Sequence, residues 1–443
     1  MIFSLCITCL LLFIAYTSLH RTFFTPLSNI PSVHPLAPYT SLRIQWKWYR
    51  GADFKAMSRA FLKRGLFIRL GPSEIAVRTM DGGVKNVYGL DNTFSSLRQD
   101  HTAYRKRLNR VYAKPYIQRS PSVRAILREI LIQRVLPIVQ ASAAQRKPID
   151  ILPLNLAYGL DVVSAFEFGL ARGTNFLEDE RAREEWFAWY NESHSSRTIE
   201  ENVGGVGDGE GEAHWTVFDR LAGGEASPNN AQTLQLASEL LDHLVATRDT
   251  FGITFSFIIL SICRHPQIQD ALRYELSSIN HPFLFKATQQ DRLPTPESLE
   301  SLSLLNAVIK ESLHLRNTGP SLNPRVTPAG RTSTLGPWTD IPPGTRVGAY
   351  AWCIHRNERR IPGCENVEPV RAAQERWFWA FGSGSRRCSG MALASEMIRF
   401  AVAAIFTNFK GSVVDEEQSE DDETFVSGDG TARLWVTFEA LQE

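Results

Sequence analysis

The residues best placed to do chemistry lie near the C-terminus, where positions 378–390 read FWAFGSGSRRCSG. Gly382 and Gly384 let the backbone turn tightly and present amide hydrogens to a thiolate at Cys388 that would otherwise be costly to bury. Such a thiolate is an anionic metal ligand. Two plainer readings exist, a structural cysteine in a glycine-rich turn and an anion nest formed by GSGSRR. Neither explains why Phe381, Gly384, Arg386, Cys388 and Gly390 fall at Phe-x-x-Gly-x-Arg-x-Cys-x-Gly spacing ahead of MALASEMIRFAVAAIF, an amphipathic helix that would fix the loop. A phosphate loop and a dinucleotide loop are both excluded by their missing residues.

This spacing resembles the cysteine motif of the cytochrome P450 family. The resemblance extends from the N-terminal segment to the C-terminus, with membrane-bound fungal members the nearest likeness. It implies a mainly α fold with small β-sheets, a long central helix over the haem and a cysteine-ligand loop below it. It also implies haem b, with Cys388 as the axial ligand of the iron, Phe381 screening the sulfur, Gly384 and Gly390 shaping the loop, and Arg386 neutralising a propionate. Thiolate donation favours oxygen–oxygen cleavage, and nearby amides tune the potential.

Other family features follow in order. HTAYRKRLNRVYAK carries His101 and Arg105 at aromatic-x-x-x-Arg spacing, where the resemblance implies a propionate contact. Four residues apart, they share a helix face, as they would on a merely solvated basic helix. Residues 233–263 contain no proline and become almost wholly apolar, the pattern of a long buried helix interrupted at Thr247, Arg248, Asp249 and Thr250. ATRDTF resembles the Ala-Gly-x-Asp/Glu-Thr-Thr motif, which implies that Asp249 and Thr250 relay protons to bound oxygen. On the residues alone, a kink capped by Thr250, with Asp249 paired to Arg248 or another cation, is the preferred reading, and the cysteine spacing reverses that preference. Arg325, in NPRVTPAG, takes the place of another propionate-binding arginine.

The chain also departs from the pattern. The family's Glu-x-x-Arg is Glu311-Ser-Leu-His314 here, and imidazole offers no guanidinium fork for a buried ion pair. Arg316 is turned away from Glu311 by the helical rotation between them. The meander between His355 and Phe381 is short, with residues 368–371 a weak counterpart and residues 375–377 too close to the loop. Thr247 and Phe251 replace the motif's glycine and second threonine, so side chains are expected to narrow oxygen access. Three readings follow: a monooxygenase, a haem-thiolate isomerase or dehydratase, and a degenerate, non-catalytic member.

The elements that must position these residues begin with Ile2–Leu19, an uncharged run near the length a bilayer requires. No basic residue precedes it and no small-x-small site follows, so residues 1–20 read as an uncleaved anchor. Arg21, Arg43, Lys47 and Arg50 place the bulk on the cytosolic side, which fits the endoplasmic reticulum. Residues 21–40, with Pro26, Pro31, Pro35 and Pro38, read as a stiff extended hinge, and residues 41–443 as the catalytic domain. Gly65–Thr79 predicts a hairpin, residues 298–315 an amphipathic helix, and Ile341–His355 a turn and then a strand. Residues 204–212 and 415–423 read as solvated loops. The 48 basic and 47 acidic residues balance, which removes any global attraction to nucleic acid. The 6 cysteines lack zinc-finger spacing. No flavin or nicotinamide domain fits beside this body, so electrons must come from a separate donor, which the resemblance implies is a membrane-bound NADPH reductase. The substrate is expected to be lipophilic, and fungal secondary metabolism follows from resemblance alone.

Overall fold

The computed structural model describes residues 2–49, 53–78, 108–193, 240–279, 283, 293–316, 318, 324–356, 377–384, 387–414 and 433–441. His101, Arg105 and Arg386 lie outside these, as do the two acidic loops and residues 368–371. The chain divides into two compact units, residues 1–101 with 319–388, and residues 102–318 with 389–443. Helices dominate among the described residues and the sheets are small.

The first unit is organised by a four-stranded sheet. Phe67–Gly71 pairs antiparallel with Glu74–Val77 across the Gly71-Pro72 turn, forming the expected hairpin. Both strands are buried at every position, the charged Arg69 and Glu74 included, so strict alternation of apolar and polar residues does not mark them. Arg346–Ala349 then adds parallel to Glu74–Val77, and Arg325–Val326 adds antiparallel on its far side. The buried Arg69 folds back on the hairpin turn, donating to the Gly71 carbonyl at 3.1 Å and the Pro72 carbonyl at 2.9 Å. A buried cation needs such partners.

Residues 21–40 do not form the expected extended spacer. A π-turn, His20–Phe24, continues the helix Ile2–Leu19, and a 3-10 turn, Pro26–Asn29, follows. Leu27 and Ile30 enter the apolar cluster formed with Ile75, Val347, Ile354 and Trp379. Arg69 and residues 31–33 exchange backbone hydrogen bonds, from the Arg69 amide to the Pro31 carbonyl and from the Val33 amide to the Arg69 carbonyl, both 2.9 Å. The apolar residues between the prolines have a surface to bury, and that outweighs proline's bias towards a free extended chain.

Ile341–His355 needs a similar correction. The turn and the strand Arg346–Ala349 are present, but Ala351–His355 is a short helix. Residues 298–315 also hold more than one helix: Pro296–Glu300, capped by Thr295 Oγ1 accepting from the Ser298 amide at 3.1 Å, precedes Ser303–Leu315.

In the second unit, the helix Ile151–Phe168 is buried along almost its whole length. Asp150 caps its start by accepting from the Leu152 amide at 3.2 Å, and Gly169 at φ 88° ends it. The apolar run Leu240–Arg264 packs against it, and Pro266 opens the next helix, Pro266–Ser277. Ile151–Phe168, Leu240–Arg264 and Met391–Asn408 are long and apolar enough to span a bilayer, yet all three are mostly buried within the protein. The N-terminal run is the exception, with none of its apolar window covered. A three-stranded sheet, in the order Ile149–Asp150, Trp435–Ala440, Phe409–Val413, completes the unit.

Candidate active site

Cys388 closes a turn made by its own segment. The Cys388 amide donates to the Phe381 carbonyl at 2.8 Å, the Gly382 amide to the Trp379 carbonyl at 2.9 Å, and the Arg387 amide to the Gly384 carbonyl at 3.1 Å. Gly382 and Gly384 have φ of 68° and 73°, in the left-handed region that favours glycine. Gly390 differs: at φ −77° it starts the helix Met391–Asn408, and the Ala394 amide donates to its carbonyl at 2.9 Å. Its backbone angle therefore does not require glycine.

The Cys388 side chain is exposed and is not in a disulfide, whereas Cys263 and Cys353 are buried. Burial pushes the Cys263 thiol far up and keeps it neutral. Arg325, only 2% exposed, donates from Nη2 to the Ser383 carbonyl at 3.3 Å, so a buried cation touches the cysteine turn. Phe381 is half-buried beside it. Among the described residues no group of three His, Cys, Asp or Glu side chains converges to hold a metal ion. Porphyrin iron brings its other ligands with it and needs only one from the protein on the thiolate side. An exposed cysteine in a glycine turn with a buried arginine against it fits that group.

The proton-relay candidates lie on Leu240–Arg264, in the second unit. Thr247–Gly252 is a π-turn within an otherwise α-helical run, the irregularity that often marks a functional site. The exposed Thr250 hydroxyl donates to the Ala246 carbonyl at 2.7 Å, the contact expected of a kink-capping threonine. Asp249 lies in the turn beside it. Arg248 stacks over the Tyr190 ring, 4.0 Å from its centroid.

Thr247 and Phe251 do not point into open space. A Cβ on Gly159 would lie 2.8 Å from the Phe251 ring and 3.2 Å from Thr247 Cγ2, so both side chains press on the Ile151–Phe168 helix. Phe251 also packs between Tyr158 and Phe255, with centroids 5.6 and 5.7 Å away. The expectation that they narrow oxygen access is corrected: they fill a helix–helix contact.

Sequence reasoning missed a buried polar cluster in the same unit. His243 Nδ1 is 2.9 Å from Glu167 Oε1 and 3.2 Å from the Tyr112 hydroxyl. Burial pushes the Glu167 carboxyl up to about 7, against the opposing pull of His243. Its partners are far apart in sequence, so no local pattern points to it. Glu311 and His314 lie on Ser303–Leu315, with Nδ1 to Oε2 at 3.5 Å. Arg316, just beyond that helix, lies 5.3 Å from the Phe257 ring centroid.

Residues 219–434 match the family "Cytochrome P450", a stretch that includes both the π-turn and the cysteine turn. Among similar proteins is cytochrome P450 monooxygenase avaI of Aspergillus versicolor, 25% identical over 74% of this chain and 91% of that protein. The chain belongs to the cytochrome P450 family. Cytochrome P450 monooxygenase macH of Penicillium terrestre is 30% identical over 52% of this chain, and cytochrome P450 6a2 of Drosophila melanogaster 31% identical over 41%. Those two matches span 46% and 36% of the relatives' own lengths, less than half of each. As a cytochrome P450, the chain is a haem-dependent monooxygenase that draws electrons from a redox partner and incorporates oxygen.

Proposed function

We propose that this cytochrome P450 binds haem b through Cys388 and inserts one oxygen atom from O2 into a lipophilic small molecule, in a fungal secondary-metabolic setting. The observation that carries the reading is the turn at 379–388, which presents an exposed cysteine with the buried Arg325 against it. When bound, haem supplies the oxygen-activating iron, and the thiolate's donation favours oxygen–oxygen cleavage.

The chain's own residues have separable tasks. Cys388 would hold the haem iron through its sulfur and Phe381 would shield that sulfur, while Gly384 shapes the turn and Gly390 opens the helix that follows it. Arg325, with Arg386, His101 and Arg105, neutralises the propionates. Asp249 and Thr250 deliver protons. Thr250 Oγ1 holds its own proton against the Ala246 carbonyl, which leaves the lone pairs to accept from a donor. Glu311 and His314 have a structural task on their helix.

Residues 1–20 serve as the anchor, residues 21–40 join it to the body, and residues 41–443 form the catalytic domain. The exposed helix Ile2–Leu19 supports a single-pass attachment. The basic residues that follow it support an endoplasmic reticulum location with the body cytosolic, where a membrane-bound reductase delivers electrons from NADPH.

The test is the reduced carbon monoxide difference spectrum of the expressed full chain. A thiolate-type Soret band in the wild type, abolished in Cys388→Ser, is the expected result. A haem-free wild-type protein, or an unchanged band in the variant, would overturn the reading.

A further inference from the structure

We propose that His355 is a positioning residue for the cysteine turn, acting through the backbone amide of Trp379. The inference rests on the reading of Cys388 as the ligand. Its basis is a chain of contacts within the first unit, several of which join segments distant in sequence.

The helix Ala351–His355 follows directly on the strand Arg346–Ala349. Arg78, just beyond the adjacent strand, donates from Nε to the Cys353 carbonyl at 2.8 Å and from Nη2 to the Arg356 carbonyl at 2.6 Å. Helix ends leave carbonyls without intrahelical donors, and one guanidinium here binds two carbonyls at that end. The sheet therefore fixes where His355 stands.

His355 is 2% exposed. Its Nε2 accepts from the buried Trp379 amide at 2.8 Å, and its ring stacks on Phe378 at 5.8 Å with 10° between planes. Accepting at Nε2 places the ring proton on Nδ1. Trp379 is where the turn begins, because its carbonyl accepts from Gly382 and the next link is Cys388 to Phe381. Arg325 holds the turn at Ser383 from another strand of the same sheet. The cysteine turn is thus attached at its entry and its middle to one sheet, in a chain whose residue 314 offers no guanidinium fork.

Two variants separate the hydrogen bond from the packing. His355→Phe keeps a ring to stack on Phe378 and removes the acceptor. His355→Gln removes the ring and restores an oxygen acceptor at similar reach. The measurements, on the purified full chain, are amide hydrogen exchange over residues 377–384 and the ratio of thiolate-type to thiol-type reduced carbon monoxide bands. His355→Phe is expected to speed exchange and lower the band ratio, each about tenfold, the factor matching loss of one buried acceptor. His355→Gln is expected to stay within about twofold of wild type, a gap well inside one hydrogen bond's worth. Wild-type behaviour in His355→Phe, or an equal loss in both variants, would overturn the proposal. A wild type with no thiolate-type band would instead sink the Cys388 reading, while the exchange comparison still judges the lock.

Discussion

Glu167 makes the pH dependence of stability a direct test of how the second unit is packed. Its Oε1 meets His243, while its buried Oε2 has no hydrogen-bond partner among the described residues. Burial raises the carboxyl from its ordinary 4.5 to about 7. A raised carboxyl binds its proton more tightly in the folded than in the unfolded chain. Its stabilisation is therefore complete below about pH 4.5 and lost as pH rises through about 7. At about 1.4 kcal/mol per pKa unit, the span is worth ~3 kcal/mol. Glu167→Gln removes the titration while keeping the shape and a group able to bond His243. Burial shifts Asp161 and Glu396 in the same direction, so the informative quantity is the difference between wild type and variant, in which they cancel. Thermal or urea unfolding across pH should show the wild type losing ~3 kcal/mol relative to the variant as pH rises through that window. Parallel curves, or a wild type that gains on the variant, would refute the burial argument.

Gly252→Ala should destabilise by about 1–2 kcal/mol, read as a lower Tm, because its Cβ would lie 2.6 Å from Leu156 Cδ2 and 2.9 Å from Leu156 Cα. Alanine's better helix propensity is outweighed, since the nearest obstacles include backbone. Thr250→Ala should lower product formed per electron consumed several-fold with haem content unchanged, measured by consumption of the electron donor against product; unchanged coupling would remove Thr250 from the proposed relay. His314→Arg should raise haem retained per chain, measured after gel filtration, if a guanidinium fork at Glu311 steadies this helix.

The legible parts of the molecule were those whose cause is local. The hairpin follows from β-prone residues around Gly71-Pro72, and the helix after Cys388 from an apolar pattern bounded by Gly390. Cys388 stood out because five residue types at fixed spacing have one chemical explanation. The π-turn left no trace, since one widened turn barely disturbs helical periodicity. Residues 21–40 depart from expectation because proline's local bias is plain in the sequence, while the surface that buries Leu27 and Ile30 is assembled from strands far along the chain. Residues 351–355 were misjudged for a related reason: AWCIH has strand-like residues, and Arg78, which binds its carbonyls, lies more than 270 residues away. His355 and Glu167 are ordinary in isolation; only folding brings each to its partner.

The packing of residues 25–40 has a mechanical consequence. A slack leash would let the first unit sample many angles above a bilayer, with its height set by chain statistics. Here Leu27 and Ile30 are seated in the apolar cluster and residues 31–33 are hydrogen-bonded to Arg69, so the segment behaves as a bracket. If Ile2–Leu19 is the anchor proposed above, whatever tilt a membrane imposes on it is transmitted to the sheet that carries the cysteine turn. Lengthening this segment with a flexible insert would disconnect the two, and the angle of the first unit to the surface would become a distribution instead of a fixed setting.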